Sequence, residues 1–160
     1  MAETVLPSAK AVRDMLGELL DRDVDLSVGP PVVPSRVVRA AVGVYVDDRL
    51  GLRALAVADL SLAARAGACI GLVPRGGAEA AIEDGFLPPN LQENFAEIVN
   101  ILSALFNLPG HPHVRLDSLV GPAEELPGDV ALLTSAYVNR LDLAVSIAGY
   151  GSGALSFVLA

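Results

Sequence analysis

The stretch from Asn90 to Asn107, NLQENFAEIVNILSALFN, constrains this chain more than any other. At about 100° per residue, Leu91, Phe95, Ile98, Val99, Leu102, Leu105 and Phe106 fall on one arc of a helix. Glu93, Glu97, Asn100, Ala104 and Asn107 fall on the opposite arc. Pro88-Pro89 resists helix upstream, and the pattern predicts Asn90 as N-cap with Glu93 in the capping-box position. Leu108-Pro109-Gly110 is a stop signal. Such a helix buries one flank and turns Glu97 and Asn100 outward, one turn apart. Ile101, large and apolar, sits beside them on the wrong side for a core. A polar pair at this spacing is common on a solvated face. It also has a chemical use: a carboxylate pairs with a partner's cation, and an amide both donates to and accepts from a water.

The rest of the composition narrows what that helix can serve. The chain has 160 residues, 52% of them hydrophobic, and no tryptophan. That length suits one domain spanning 1–160 with an aliphatic core. A net charge of −8 and a single lysine, Lys10, argue against a nucleic-acid or anionic-membrane surface. Cys69 is the sole cysteine, which excludes an internal disulfide and a thiolate metal cluster, and its apolar surroundings predict an inert buried thiol. Apolar runs are broken by Asp59, Arg65, Arg140 and Asp142 before reaching the roughly 18 residues that a membrane span needs. MAETVLPSAK lacks the basic and apolar regions of a secretory signal, so the expected compartment is the cytoplasm.

In chain order, residues 6–21 read as a helix, Val24 to Val28 as extended or loop, and Pro30, Pro31 and Pro34 as a stiff crossing. Ser35 to Val46 and Arg49 to Ala58 read as a hairpin turned at Asp47-Asp48. The second strand is apolar on both faces and so is expected to be covered on both. Asp59 is placed to cap a helix over 60–70. AEAAIE reads as a further helical turn. After the central helix, His113 to Val120, Val130 to Tyr137, Leu141 to Ala148 and Ala154 to Leu159 read as strands, the last two joined by GYGSG. Tyr45, Tyr137 and Tyr150 read as sheet residues with hydroxyls at the rim. His111-Pro112-His113 makes a poor metal site, lacking a third ligand at a usual spacing. The order suggests weak two-fold internal similarity without an alignable repeat. The fold class is α+β, an antiparallel sheet with helices packed on one face.

The run Glu93-x3-Glu97-x2-Asn100, followed by Pro122, resembles the signature of the CheC/CheX/FliY chemotaxis phosphatases. The layout of the chain resembles that family throughout, and CheX most, because only one copy of the signature stands in it. The corresponding run in the first helix is Glu18-Leu19-Leu20-Asp21, with Asp in place of Asn, which implies at most one site per chain. The resemblance implies a phosphatase acting on the aspartyl phosphate of a CheY-type receiver domain. Glu97 and Asn100 would be its catalytic residues, the first pairing with a receiver lysine and the second orienting the attacking water. Glu93, Ile101 and Ala104 would contact the partner. It implies no cofactor of the chain's own, the Mg²⁺ belonging to the receiver. The chain departs from the family at Glu93, where Asp or Ser is usual, and around Asn100, where Val99 and Ile101 replace smaller residues. Two further readings stand beside this one: a non-catalytic binding module of the same fold, like the flagellar switch proteins, and a small-ligand-binding domain, which a deep apolar cavity would favour. Resemblance to CheX and an apolar last strand, ALSFVLA, read as an exposed edge, lead to the expectation of a homodimer.

Overall fold

The computed structural model describes residues 3–137 and 139–160; the first two residues of the N-terminal stretch and Val138 lie outside it. Ser8 opens the first helix, α1 (Ala9–Leu20), by accepting the Ala11 N–H on its side-chain oxygen at 3.1 Å. Asp21 closes it in a left-handed conformation. β1 (Val24–Val28) leads into the proline segment, and β2 (Ala40–Val46) and β3 (Leu52–Asp59) form the expected hairpin. Asp59 caps α2 (Leu60–Ile70) through the Leu62 N–H at 2.8 Å. The AEAAIE run belongs to a full helix, α3 (Arg75–Asp84), ended by Gly85 at φ +68°.

α4 (Pro89–Leu102) starts two residues earlier than its sequence signals suggest, its N-cap being Pro88 rather than Asn90. Pro88 is the N-cap and Pro89 the first helical residue, a position where a missing N–H costs nothing and a fixed φ is preset. Asn90 therefore lies inside the first turn, and neither it nor Glu93 makes a capping hydrogen bond. The helix also ends earlier, tightening into a 3-10 turn over Ser103–Leu105.

β4 (Arg115–Val120) follows, then a short helix, α5 (Gly128–Thr134), where the sequence pattern predicts a strand. Pro127 at the N-cap and Asp129 in the first turn favour helix there, and Val130 and Thr134, four apart, are the buried side. β5 (Arg140–Ile147) and β6 (Gly151–Leu159) complete the chain, joined by a turn in which Gly149 and Gly151 take positive φ.

All pairings in the six-stranded sheet are antiparallel, in the order β1-β5-β6-β3-β2-β4. β6 is thus an interior strand, not an edge; the free edges are β1 and β4. Alternation splits the core in two. Ala41, Tyr45, Ala54, Ala56, Leu155 and Phe157 face α1, α2 and α4. Val42, Val44, Leu55, Val57 and Val158 face Val32 and Val130. The four longer helices share one face of the sheet, while α5 and the proline segment cover the other, so β3 is buried on both sides as its sequence implies.

Read from either end, the strand order maps onto itself if β1, β2 and β3 exchange with β4, β5 and β6. Each half opens with a helix, α1 or α4, that precedes an edge strand. Both edge strands run out into the same tripeptide, Val28-Gly29-Pro30 and Val120-Gly121-Pro122. A short repeat therefore does align, contrary to the expectation from sequence.

Candidate functional site

Three sets of contacts decide which flank of α4 meets solvent. Against α2, Gly67 lets the helices approach until a Cβ there would sit 2.6 Å from the Leu91 carbonyl oxygen. The Asn94 side-chain amide donates to the Gly67 carbonyl at 3.0 Å. Against β2, Val99 rests on Gly43, where a Cβ would lie 2.3 Å from Val99 Cγ1. Toward β4, Gln92 lies over Gly121, which brings the neighbouring Pro122 beside the first half of the helix.

Glu93, Glu97, Asn100 and Ala104 are left exposed along the remaining flank, and Ile101 is half-buried at its border. Among the described residues, the Glu97 carboxylate and the Asn100 side-chain amide make no hydrogen bond or ion pair within the chain; the Asn100 backbone carbonyl accepts from Ser103 Oγ at 2.6 Å. An acid and an amide one turn apart, open to solvent and uncommitted, can engage a cation and a water on a second molecule.

Asn107 departs from the predicted outward arc. Once the helix tightens at Ser103, Asn107 turns to the start of β4, accepting the Val114 N–H at 2.7 Å and donating to its carbonyl at 2.8 Å. The tyrosines also differ from expectation. Tyr45 is fully buried with its hydroxyl on the Val99 carbonyl at 2.6 Å, and Tyr150 donates to the Val73 carbonyl at 2.7 Å; only Tyr137 is exposed. Burial holds the Tyr45 hydroxyl far above its ordinary pKa, so it stays a donor. Periodicity could not find Tyr45, because its link to α4 spans 54 positions of sequence.

The remaining candidate groups are engaged in structure. His111 Nδ1 lies 2.7 Å from the Glu3 carbonyl, and His113 lies 3.4 Å from Asp48. Cys69 is buried with its thiol toward the Leu20 carbonyl, and burial pushes its pKa up. The apolar cavity between α1, α2, α4 and the sheet measures about 10 Å³, room for one water at most and far from a ligand pocket. Among the described residues no helix is long and apolar enough to cross a membrane.

No family model matches this sequence, and no curated protein does. Solved structures do match. The FliM middle domain of V. alginolyticus superposes with a TM-score of 0.59 at 10% identity, over 94% of this chain and 86% of that one. The FliM middle domain of H. pylori gives 0.55 at 12%, over 94% and 84%. A chain of the FliG-FliM complex from H. pylori gives 0.54 at 12%, over 94% and 85%. The chain has a CheC/FliM-type fold. That likeness extends to the antiparallel sheet with its helical layer, and at these identities it concerns the fold alone.

Proposed function

We propose that this chain is a CheX-like phosphatase of a phosphorylated CheY-type receiver domain, working from the open flank of α4. The observation that carries the reading is the exposure of Glu97 and Asn100, uncommitted and one turn apart, on a helix whose other sides are packed. Docked on a receiver, Glu97 pairs with a receiver lysine and fixes the register. The Asn100 amide accepts from and donates to a water and holds it in line with the aspartyl phosphate. The water oxygen bonds to phosphorus as the bond from phosphorus to the carboxylate oxygen breaks. Inorganic phosphate leaves as dihydrogen phosphate, carrying both protons of the water, and the receiver aspartate is restored as a carboxylate. Nothing in this chain becomes covalently modified; its contribution is placement and charge, the terms that dominate phosphoryl transfer. The receiver brings its own Mg²⁺. Glu93, Ile101 and Ala104 border the pair and form the contact rim.

The test is phosphate release from a CheY-type receiver loaded with acetyl phosphate. Asn100→Ala should lower the rate on the order of 100-fold, as loss of one positioned transition-state donor does, with receiver affinity kept. An Asn100→Ala protein as active as the parent removes this mechanism.

A second reading, a non-catalytic docking module, is favoured by the FliM neighbours, one of them solved in complex with FliG. It predicts that calorimetry detects receiver or flagellar-protein binding while phosphate release stays at the receiver's own rate.

A further inference from the structure

Asn100 lies between two peptide units, and each carbonyl accepts a side-chain hydroxyl. The Ser103 N–H turns to the Asn100 carbonyl, three residues back, as the helix tightens. In a continuing α-helix it would go to Val99, four back. The Val99 carbonyl, so released, accepts the Tyr45 hydroxyl at 2.6 Å; the Asn100 carbonyl accepts the Ser103 hydroxyl at 2.6 Å. Tyr45 is itself immobile: its ring is fully buried and tilted against Phe106, with centroids 5.2 Å apart, and Phe106 abuts Phe157 at 5.9 Å. Two residues earlier on the same face of β2, Gly43 receives the Val99 side chain. One strand therefore grips Val99 at its side chain and at its carbonyl, and the next residue is the one whose amide faces solvent.

We infer that Tyr45 is a positioning residue for Asn100: its hydroxyl, acting through the Val99 carbonyl, fixes the peptide from which the Asn100 amide projects. Its kinetic consequence rests on the phosphatase reading; its structural consequence does not. A buried tyrosine hydroxyl needs some acceptor, and any carbonyl would satisfy it. This one belongs to the peptide bond that enters Asn100, at the place where regular helix ends and the backbone has lost its own restraint.

The experiment compares the parent chain, Tyr45→Phe and Asn100→Ala by two readouts. One is phosphate release from a CheY-type receiver loaded with acetyl phosphate. The other is ¹⁵N relaxation of the Asn100 side-chain amide, with the Glu93 backbone amide, on the first half of the helix, as control. Tyr45→Phe keeps the ring and its packing, so the fold survives. The expected result is a kcat lower by about tenfold or more, since small misplacements of a reacting group carry such losses, with KM unchanged. The Asn100 amide becomes more mobile while Glu93 does not. An Asn100 amide as ordered as in the parent overturns the inference, as does a loss of order spread evenly over α4. If Asn100→Ala abolishes turnover while Tyr45→Phe leaves kcat and amide order alone, the inference falls and the phosphatase reading stands. If the parent never accelerates phosphate release yet Tyr45→Phe loosens the Asn100 amide, the positioning stands and the phosphatase reading falls.

Discussion

Gly43 shows how one residue on the sheet sets the position of a helix. With no side chain it admits Val99, and any Cβ placed there meets Val99 Cγ1 at 2.3 Å. Gly43→Ala is therefore expected to destabilise the fold by about 1–3 kcal/mol through overpacking. Adding Val99→Ala should recover much of the loss, because the clash lies between those two groups. Urea denaturation of the single and double variants measures both effects. At this scale the sequence was legible wherever a regular helix made periodicity sufficient. Glu93, Glu97 and Asn100 stand on the side their spacing assigns, and Ala104, in the 3-10 turn that follows, is exposed as well. It failed where geometry is set from outside the helix: at Asn107, drawn to Val114 after the tightening, and at Tyr45, whose hydroxyl is used inside rather than at the rim. At Asn90, Pro89 took the helix start ahead of it.

Among the elements, the β2–β3 hairpin has a turn without glycine at its first positions, and Asp47 explains why that suffices. Its carboxylate accepts the N–H groups of Arg49 and Gly51, both at 2.9 Å, and pairs with Arg53 at 2.8 Å, while Leu50 takes a positive φ of 64°. The Gly51 N–H, then Arg53, holds the Asp47 pKa below its ordinary 3.8. Glu79 is likewise lowered from 4.5, chiefly by Arg65. Both groups have folded pKa values below their unfolded ones. Their stabilisation is therefore present above the ordinary carboxylate range and is lost as pH falls through the folded values. Thermal midpoints should hold steady from pH 7 to about 5 and fall below about 4. Asp47→Asn should lower the midpoint at pH 7 and make the acid fall shallower. The one element of mistaken type is α5. Val130 to Tyr137 is short and apolar, and a run of that length has no period to separate strand from helix; the covering layer beneath β2 and β3 decides it.

For the whole molecule, the mirrored strand order makes α1 the counterpart of α4. Setting Glu18 against Glu97 matches buried Val12, Leu16 and Leu20 with buried Leu91, Phe95 and Val99, and sets Asp21 against Asn100. Asp21, however, is the left-handed end of its helix, and a carboxylate has no N–H to offer a water. One receiver per chain is therefore expected by calorimetry, and Asp21→Asn should add no second site, because the backbone there no longer follows the helix. The homodimer proposed with the CheX-like reading cannot use β6, which is interior; its route along the sheet is β1 or β4. The fold class was readable from the order of elements and their periods, whereas the edges were not, since strand order is a property of long-range pairing.

The Glu3–Leu6 segment and Ala160 line the same groove on this molecule. With the Glu3–Leu6 segment beside Ala160 and the sheet reading alike in either direction, the order of the two halves along the chain is not dictated by the architecture. A loop from Ala160 to Glu3 and a cut between α3 and α4 would put the second half first and leave every strand with its present neighbours.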